Sequence, residues 1–476
     1  MNEETKWQKV AVFGIPVVAV SLLALIWPGF ITNPLYLGGL ILIEIVLAAL
    51  WHFRTAYFAL TMIFFLWAGM DVPLEGAALT ARWFVLAVGA IGGAFLWLRE
   101  HRQPMNALHL IAFLCVPIAA VTAIQSVDPQ TSLMKVASLF LVFLYASTGV
   151  RVASEGNQSL FVRKILRACE VIAYASALCY GLGFAVWGNP NSLGAVVAVV
   201  LLPFLLWGFL ATDNRSEKNR LGFALLLCGV LLYTALSRAS ILAAVVGCVT
   251  MCICLRRQRV LLQGAFGIVL LLAFAAVLRP ASFEQFSAKL TDELLHKGKD
   301  ETGVLDSRKK PWDETVSSFK QHPWFGSGFG TSDMVVDGPV AEVSALEGVY
   351  TKEGRNREHG NSYLALAEYV GILGLLSFGL LLLLIVRMVI QMCLWMRRTS
   401  NIGHPAIPLA IVLLAGLVHA FFEDWLIAVG YHLCVFFWVA AFLLRDLIPQ
   451  SRRDDAQTVL VPFRSRADAG IFAHSR

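Results

Sequence analysis

Three side chains stand where a charged or titratable group is costly unless it is used. Arg238 lies in Leu236-Ser237-Arg238-Ala239-Ser240, between two apolar runs with no room for a loop. An arginine at a membrane boundary is expensive and by default faces a polar cavity; snorkelling or an interhelical ion pair is the ordinary alternative. Arg308 opens Arg308-Lys309-Lys310-Pro311-Trp312, a pattern that a solvated charge run also produces. A guanidinium, however, is always charged and can grip two phosphate oxygens at once, so two arginines on one side of a membrane could hold a diphosphate between them. His359, in Glu358-His359-Gly360-Asn361-Ser362-Tyr363-Leu364, sits where a polar stretch gives way to an apolar run. An imidazole titrates at about pH 6.5 and can take a proton from a hydroxyl nucleophile; an interfacial histidine making local hydrogen bonds is the plainer reading.

Other polar residues weigh less. His322, in Gln321-His322-Pro323-Trp324, reads as a turn residue, and Asn189-Pro190-Asn191 as a turn that starts a helix, with Asn191 a cap or polar contact. Gly326-Ser327-Gly328-Phe329-Gly330 mimics a nucleotide loop, but no strand precedes it, and the expectation is a flexible turn. Glu423-Asp424, after His419 and before Trp425, could position a sugar or a base, with helix capping and solvation as the plainer role. Cys248, Cys252 and Cys254 have no His or carboxylate beside them and read as small apolar packing, so no metal and no cofactor is expected.

These residues must be positioned by membrane helices. Of the 476 residues 58% are hydrophobic and 15% charged, which excludes a water-soluble globular enzyme. A bilayer core needs roughly 20 apolar residues per helix, and apolar runs fall near 10–27, 34–51, 55–70, 82–98, 106–124, 133–150, 168–187, 190–211, 221–237, 239–255, 259–278, 363–388, 406–424 and 427–445. The fold class expected is therefore an all-α polytopic membrane protein of about 12–14 transmembrane helices. Alternate short loops concentrate Arg54, Arg99, Arg102, Arg151, Arg163, Lys164, Arg215, Lys218, Arg256, Arg257, Arg397 and Arg398 on one side, while the other holds little beyond Arg82, Lys135 and Arg238. By the positive-inside bias both termini are expected to be cytoplasmic, and the net charge of +6 needs no nucleic acid to explain it. The first span lacks a cleavage pattern and reads as a retained anchor.

The organisation expected is N-terminal transmembrane helices over 1–187, further transmembrane helices over 188–278, one large external loop over 279–362, C-terminal transmembrane helices over 363–445, and a polar, disordered tail over 446–476. Within the loop Phe283, Phe286, Leu290 and Leu294 recur at helical spacing and suggest an interfacial amphipathic helix. Pro311, Trp312, Val316 and Phe319 suggest a second short helix with Pro311 at its first position.

Taken in order, Asn189-Pro190-Asn191, Ser237-Arg238, Arg308 with Trp312, His322-Pro323, Gly326 to Gly330, His359 through Asn361-Ser362-Tyr363-Leu364 to Glu368, and Gly371-Ile372-Leu373-Gly374-Leu375-Leu376 resemble the O-antigen ligase and polymerase superfamily over roughly 185–385. The resemblance implies a GT-C-like, inverting, metal-independent glycosyltransferase in the bacterial inner membrane, with its large loop in the periplasm. The donor implied is a glycan on undecaprenyl diphosphate, and the acceptor a hydroxyl of lipid A-core in a ligase or of another repeat unit in an O-antigen or exopolysaccharide polymerase. The family's helix-boundary arginine, loop arginine and loop-end histidine match Arg238, Arg308 and His359, which are the expected catalytic residues. Asn189, Asn191, Asn361 and Tyr363 join Arg238 and Arg308 as expected substrate-binding residues. In this chain Gly360 separates His359 from Asn361, where many members have His directly before Asn or Ser. The rival reading is a transporter of lipid-linked glycan, but transporters place charge near the midplane of repeated halves, whereas here the polar chemistry gathers at one face and in one loop.

Overall fold

The computed structural model describes residues 52–99, 104–155, 157–187, 189–266, 306–332 and 359–449, with isolated positions before 52. Its helices, in chain order, are α1 Arg54–Trp67, α2 Glu75–Arg99, α3 Ala107–Ile124, α4 Pro129–Ser154, α5 Gln158–Gly181, α6 Pro190–Ala211, α7 Arg215–Ala235, α8 Arg238–Cys254, α9 Asp306–Gln321, α10 Ser362–Thr399, α11 Ala406–Ala420 and α12 His432–Leu447. No strand occurs among the described residues. Five helices, α2, α3, α4, α6 and α10, are long and apolar enough to cross a membrane, and α1, α8 and α11 are shorter apolar helices. The protein is thus an all-α, multi-pass membrane protein.

Several expectations shift. The runs at 10–27 and 34–51 and most of 259–278 lie outside the described residues, as do Phe283, Phe286, Leu290 and Leu294. The run placed at 168–187 belongs to α5, which starts ten residues earlier at Gln158 and stops at Gly181, leaving Trp187 buried beyond its end. Helix α9 starts at Asp306, so Pro311 is inside it rather than at its first position. Pro311 therefore removes one N–H from the helical ladder, the one that would have donated to a carbonyl of the first turn.

The bundle's core runs from α1 to α12, with α8 against α11, α3 against α10, and α9 laid on α10. A buried Arg151–Asp446 pair, with two contacts of 2.6 Å, ties α4 to the end of α12.

Helix α10 is broken at Gly371, whose φ of 59° and ψ of −167° are not helical. A break exposes backbone groups that a membrane protein must satisfy internally. The 322–332 segment does so: the N–H groups of Ile372 and Leu373 donate to the Pro323 and Trp324 carbonyls, and the Ser327 N–H donates to the Glu368 carbonyl at 2.8 Å. Two backbones meet so closely here that a Cβ on Gly371 would lie 2.5 Å from the Trp324 carbonyl. Gly326, Gly328 and Gly330 all have positive φ.

That glycine-rich stretch is therefore not the flexible turn expected of it. Phe329 is 1% exposed and stacks on Phe378. Three side chains of the α3–α4 region pin the strap: Ser132 Oγ and Lys135 Nζ each donate at 2.7 Å to the Phe329 and Gly330 carbonyls, and Ser126 Oγ meets Thr331 Oγ1 at 2.7 Å. Lys135, read as a loop lysine, is buried for this purpose.

A methyl group at 371 meets both backbone strain and a collision. Gly371→Ala should lower stability by at least about 1–3 kcal/mol, read as a fall in unfolding temperature in detergent. Gly379→Ala, with open space around it, should leave that temperature unchanged; equal effects from the two would show that the break is not tightly specified.

Candidate functional site

The residue before α10 is Asn361, whose Oδ1 caps the helix by accepting from the Tyr363 and Leu364 N–H groups. This cap fixes the chain entering from His359, which is 1% exposed. Opposite it lies the turn that follows α11. Asp424 Oδ2 accepts from the His359 backbone N–H at 2.9 Å and lies 3.2 Å from His359 Nδ1. On the other edge of the ring, His359 Nε2 is 3.2 Å from Glu368 Oε2, an ion-pair separation in which the ring N–H is not aimed squarely at the oxygen. Glu368 lies three residues before the break in α10 and accepts from Ser332 Oγ at 2.6 Å. Tyr369 packs edge-on against the imidazole at 5.1 Å.

Arg308 meets the same turn. Its Nη2 donates to Glu423 Oε1 at 2.6 Å, so the consecutive residues Glu423 and Asp424 hold the arginine and the histidine respectively. The turn is tied to α10 through Ser362, whose N–H and Oγ both donate to the Glu423 carbonyl and whose Oγ accepts from the Leu426 N–H. Gly360 explains its own place between His359 and Asn361. Its φ is +62°, a Cβ there would come 2.6 Å from Arg308 Nη1, and its carbonyl accepts from Trp312 Nε1. The residue that separates His359 from Asn361 leaves room for the guanidinium to lie on the backbone.

Arg238 opens α8 directly after α7 ends at Ala235, with Leu236 in a left-handed conformation. A chain of side chains joins this corner to the turn. Trp425 Nε1 donates to His419 Nδ1 at 2.8 Å; the neutral ring then carries its proton on Nε2, 3.2 Å from Ser240 Oγ, which donates to Ser237 Oγ. Tyr363 Oη donates to the Leu417 carbonyl, and Asn189 Oδ1 caps α6 through the Asn191 N–H. From the start of α6, Ser192 reaches Tyr431 rather than His359. Among the sequence candidates, then, Arg308 meets Glu423 and His359 meets Asp424 on one turn, the neighbours of Arg238 in sequence, Ser237 and Ser240, are linked to that turn through His419 and Trp425, and Asn361, Tyr363 and Asn189 hold backbone.

The electrostatics follow from burial and pairing. Burial opposes the charged imidazole of His359, but the nearby Glu368 carboxylate and the contact with Asp424 outweigh it, so its pKa is raised. Burial likewise opposes ionisation of Asp424, and His359 outweighs that, so its pKa is lowered. A buried cluster of perturbed titratable groups is what makes this a candidate site for proton or charge chemistry. Glu368 and Ser332 carried no separate weight in the sequence, although a carboxylate inside an apolar helix is itself a signal of function.

Residues 223–379 match the O-antigen ligase family model. The match runs from within α7 past the break in α10, and it bears out the resemblance over a stretch holding Arg238, Arg308, His359 and Glu368. No curated protein matches the chain.

Because the His359 pKa is raised, its pairing stabilises the fold fully below the imidazole's ordinary value of about 6.5 and is lost as pH rises through the raised value. Asp424, with a lowered pKa, stabilises above about 3.9 and its contribution is lost as pH falls through the lowered value. Unfolding temperatures of wild type and His359→Gln, measured from pH 5 to 9, should therefore differ most at the acid end and converge toward the alkaline end. A gap independent of pH would contradict a charged His359.

Proposed function

We propose that this protein is a membrane glycosyltransferase that moves a glycan from a lipid diphosphate carrier to an acceptor hydroxyl, in the manner of an O-antigen ligase. The observation that carries the reading is the half-buried turn at Glu423-Asp424, which holds a guanidinium and an imidazole in one cluster, beside a segment matching the O-antigen ligase model.

The chemistry of such a transfer needs two things. Negative charge grows on the diphosphate as the glycosidic C–O bond breaks, and fixed cations in a water-poor site stabilise it strongly because they need not reorganise. Arg308, braced by Glu423, and Arg238, at the corner joined to the same turn, supply that charge without a metal. The acceptor hydroxyl must lose its proton as its oxygen bonds to the anomeric carbon, and His359 orients or deprotonates it. A single displacement inverts the anomeric carbon. The carrier's lipid tail needs a side entrance, and exposed Trp324, Phe325 and Phe421 near the α10 break and the turn offer an apolar rim for it.

The donor we infer is a glycan on undecaprenyl diphosphate, the setting the external face of a bacterial inner membrane, and the acceptor lipid A-core. A polymerase that lengthens the lipid-linked glycan would use the same donor machinery.

Purified protein in detergent with EDTA, given synthetic undecaprenyl diphosphate oligosaccharide and lipid A-core, should transfer the glycan. Arg308→Lys and Arg238→Lys should each cost about 10²–10³-fold, the scale of a lost charge-stabilising donor, because an ammonium cannot reproduce the two-pronged grip. His359→Ala should lose transfer throughout pH 6 to 8. Lengthened lipid-linked glycan in place of product on lipid A-core would assign a polymerase. Wild-type rates in both lysine variants would rule out the arginine clamp.

A further inference from the structure

Glu368 is 0% exposed, yet several groups serve to hold its carboxylate against His359. Ser332 Oγ donates to one oxygen at 2.6 Å, leaving the other facing Nε2. The Ser327 N–H fixes the Glu368 carbonyl, and the break at Gly371 follows three residues later. The strap carrying Ser327 and Ser332 is pinned in turn by Ser126, Ser132 and Lys135. A buried carboxylate costs more than an apolar residue of its size, so its pairing adds little to stability on balance. This outlay is directed at one edge of one imidazole whose other edge Asp424 already occupies.

Orientation of the ring needs a single partner. Asp424 provides it twice over, through the His359 backbone N–H and through Nδ1. A second carboxylate beside Nε2 stabilises a proton on that nitrogen.

We propose that Glu368 is a positioning residue of the transfer reaction: its carboxylate lies beside Nε2 of His359 without filling the lone-pair direction of that nitrogen, and its charge stabilises the imidazolium formed when the neutral ring takes the proton of the acceptor hydroxyl on Nε2. The inference rests on the glycan-transfer reading and deepens it. In the step, the acceptor O–H bond breaks as its oxygen bonds to the anomeric carbon. The bond from that carbon to the diphosphate breaks, and its electron pair leaves with the lipid diphosphate. The proton ends on His359 Nε2, beside the Glu368 carboxylate, and passes to water after the products leave. The groups facing His359 in this scheme are Glu368 and Tyr369 from α10 and Asp424 from the turn after α11, with Arg308 and Glu423 one contact away.

The test compares wild type, Glu368→Gln and Glu368→Asp as purified full-length protein. The amide keeps the volume and can still accept from Ser332 but loses the charge. Removing a carboxylate that raises the His359 pKa must lower that pKa, so the acid limb of the kcat–pH profile should move to lower pH in Glu368→Gln. At pH 7.5 kcat should fall at least about tenfold, a part of the 10²–10⁴-fold typical of general acid–base help, with the acceptor KM nearly unchanged. Glu368→Asp should recover part of the rate. Independently of turnover, the His359 titration midpoint, read by NMR of histidine-labelled protein and assigned with His359→Gln, should drop in Glu368→Gln. A wild-type profile in the Gln variant, or an unmoved His359 midpoint, overturns the proposal. Absence of transfer by wild type together with a falling midpoint would instead refute the functional reading and, with it, the acceptor as the proton's source, while leaving the pairing in place.

Discussion

A short turn between two apolar helices carries two consecutive carboxylates, and the candidate site depends on both being satisfied. Both carboxylates are largely shielded from water, so each is costly unless a cation or donor answers it. Glu423 is satisfied by Arg308 from α9 and Asp424 by His359 from the entrance to α10. The same requirement draws three separate parts of the chain together: the end of α11, the loop helix, and the start of α10. Ser362 then locks the arrangement at the backbone level, so that the turn and the helix cap cannot move independently.

The broken helix performs the matching task on the other side of the imidazole. A continuous α10 would have satisfied its own backbone and needed no strap. The break at Gly371 instead releases donors that only the Pro323–Trp324 carbonyls answer, and this anchors the strap whose Ser332 aims Glu368. Glycines at 326 and 371 are required by the closeness of two backbones. What resembled a phosphate-cradling loop in composition is a packing device that carries polar side chains into the protein.

Much of this was legible in the sequence because hydrophobic length is a strong signal. The boundaries of α3, α6 and α8 fall within a few residues of the apolar runs, α10 starts with its run but continues past 388 to Thr399, and Arg238 was conspicuous because no loop fits between α7 and α8. His359 stood out by its place at the edge of an apolar run. The rest was hidden for physical reasons. Side-chain pairing across the fold has no local periodicity, so the alternating duty of Glu423 and Asp424 could be raised only as an option. Glu368 disappeared into its helix because one carboxylate barely alters the hydropathy of a long apolar segment. The glycine-rich stretch read as flexible because composition reports conformational freedom and not the neighbours that remove it. Gly360 became intelligible only once Arg308 was seen lying against it.

The most direct measurement is a structure of the protein with a non-cleavable phosphonate analogue of the lipid diphosphate glycan. The account predicts phosphoryl oxygens within hydrogen-bonding distance of Arg308, Arg238 facing the same diphosphate, and the anomeric carbon on the side of His359. A diphosphate bound away from the Glu423-Asp424 turn, with Arg308 and His359 left as they stand here, would contradict it.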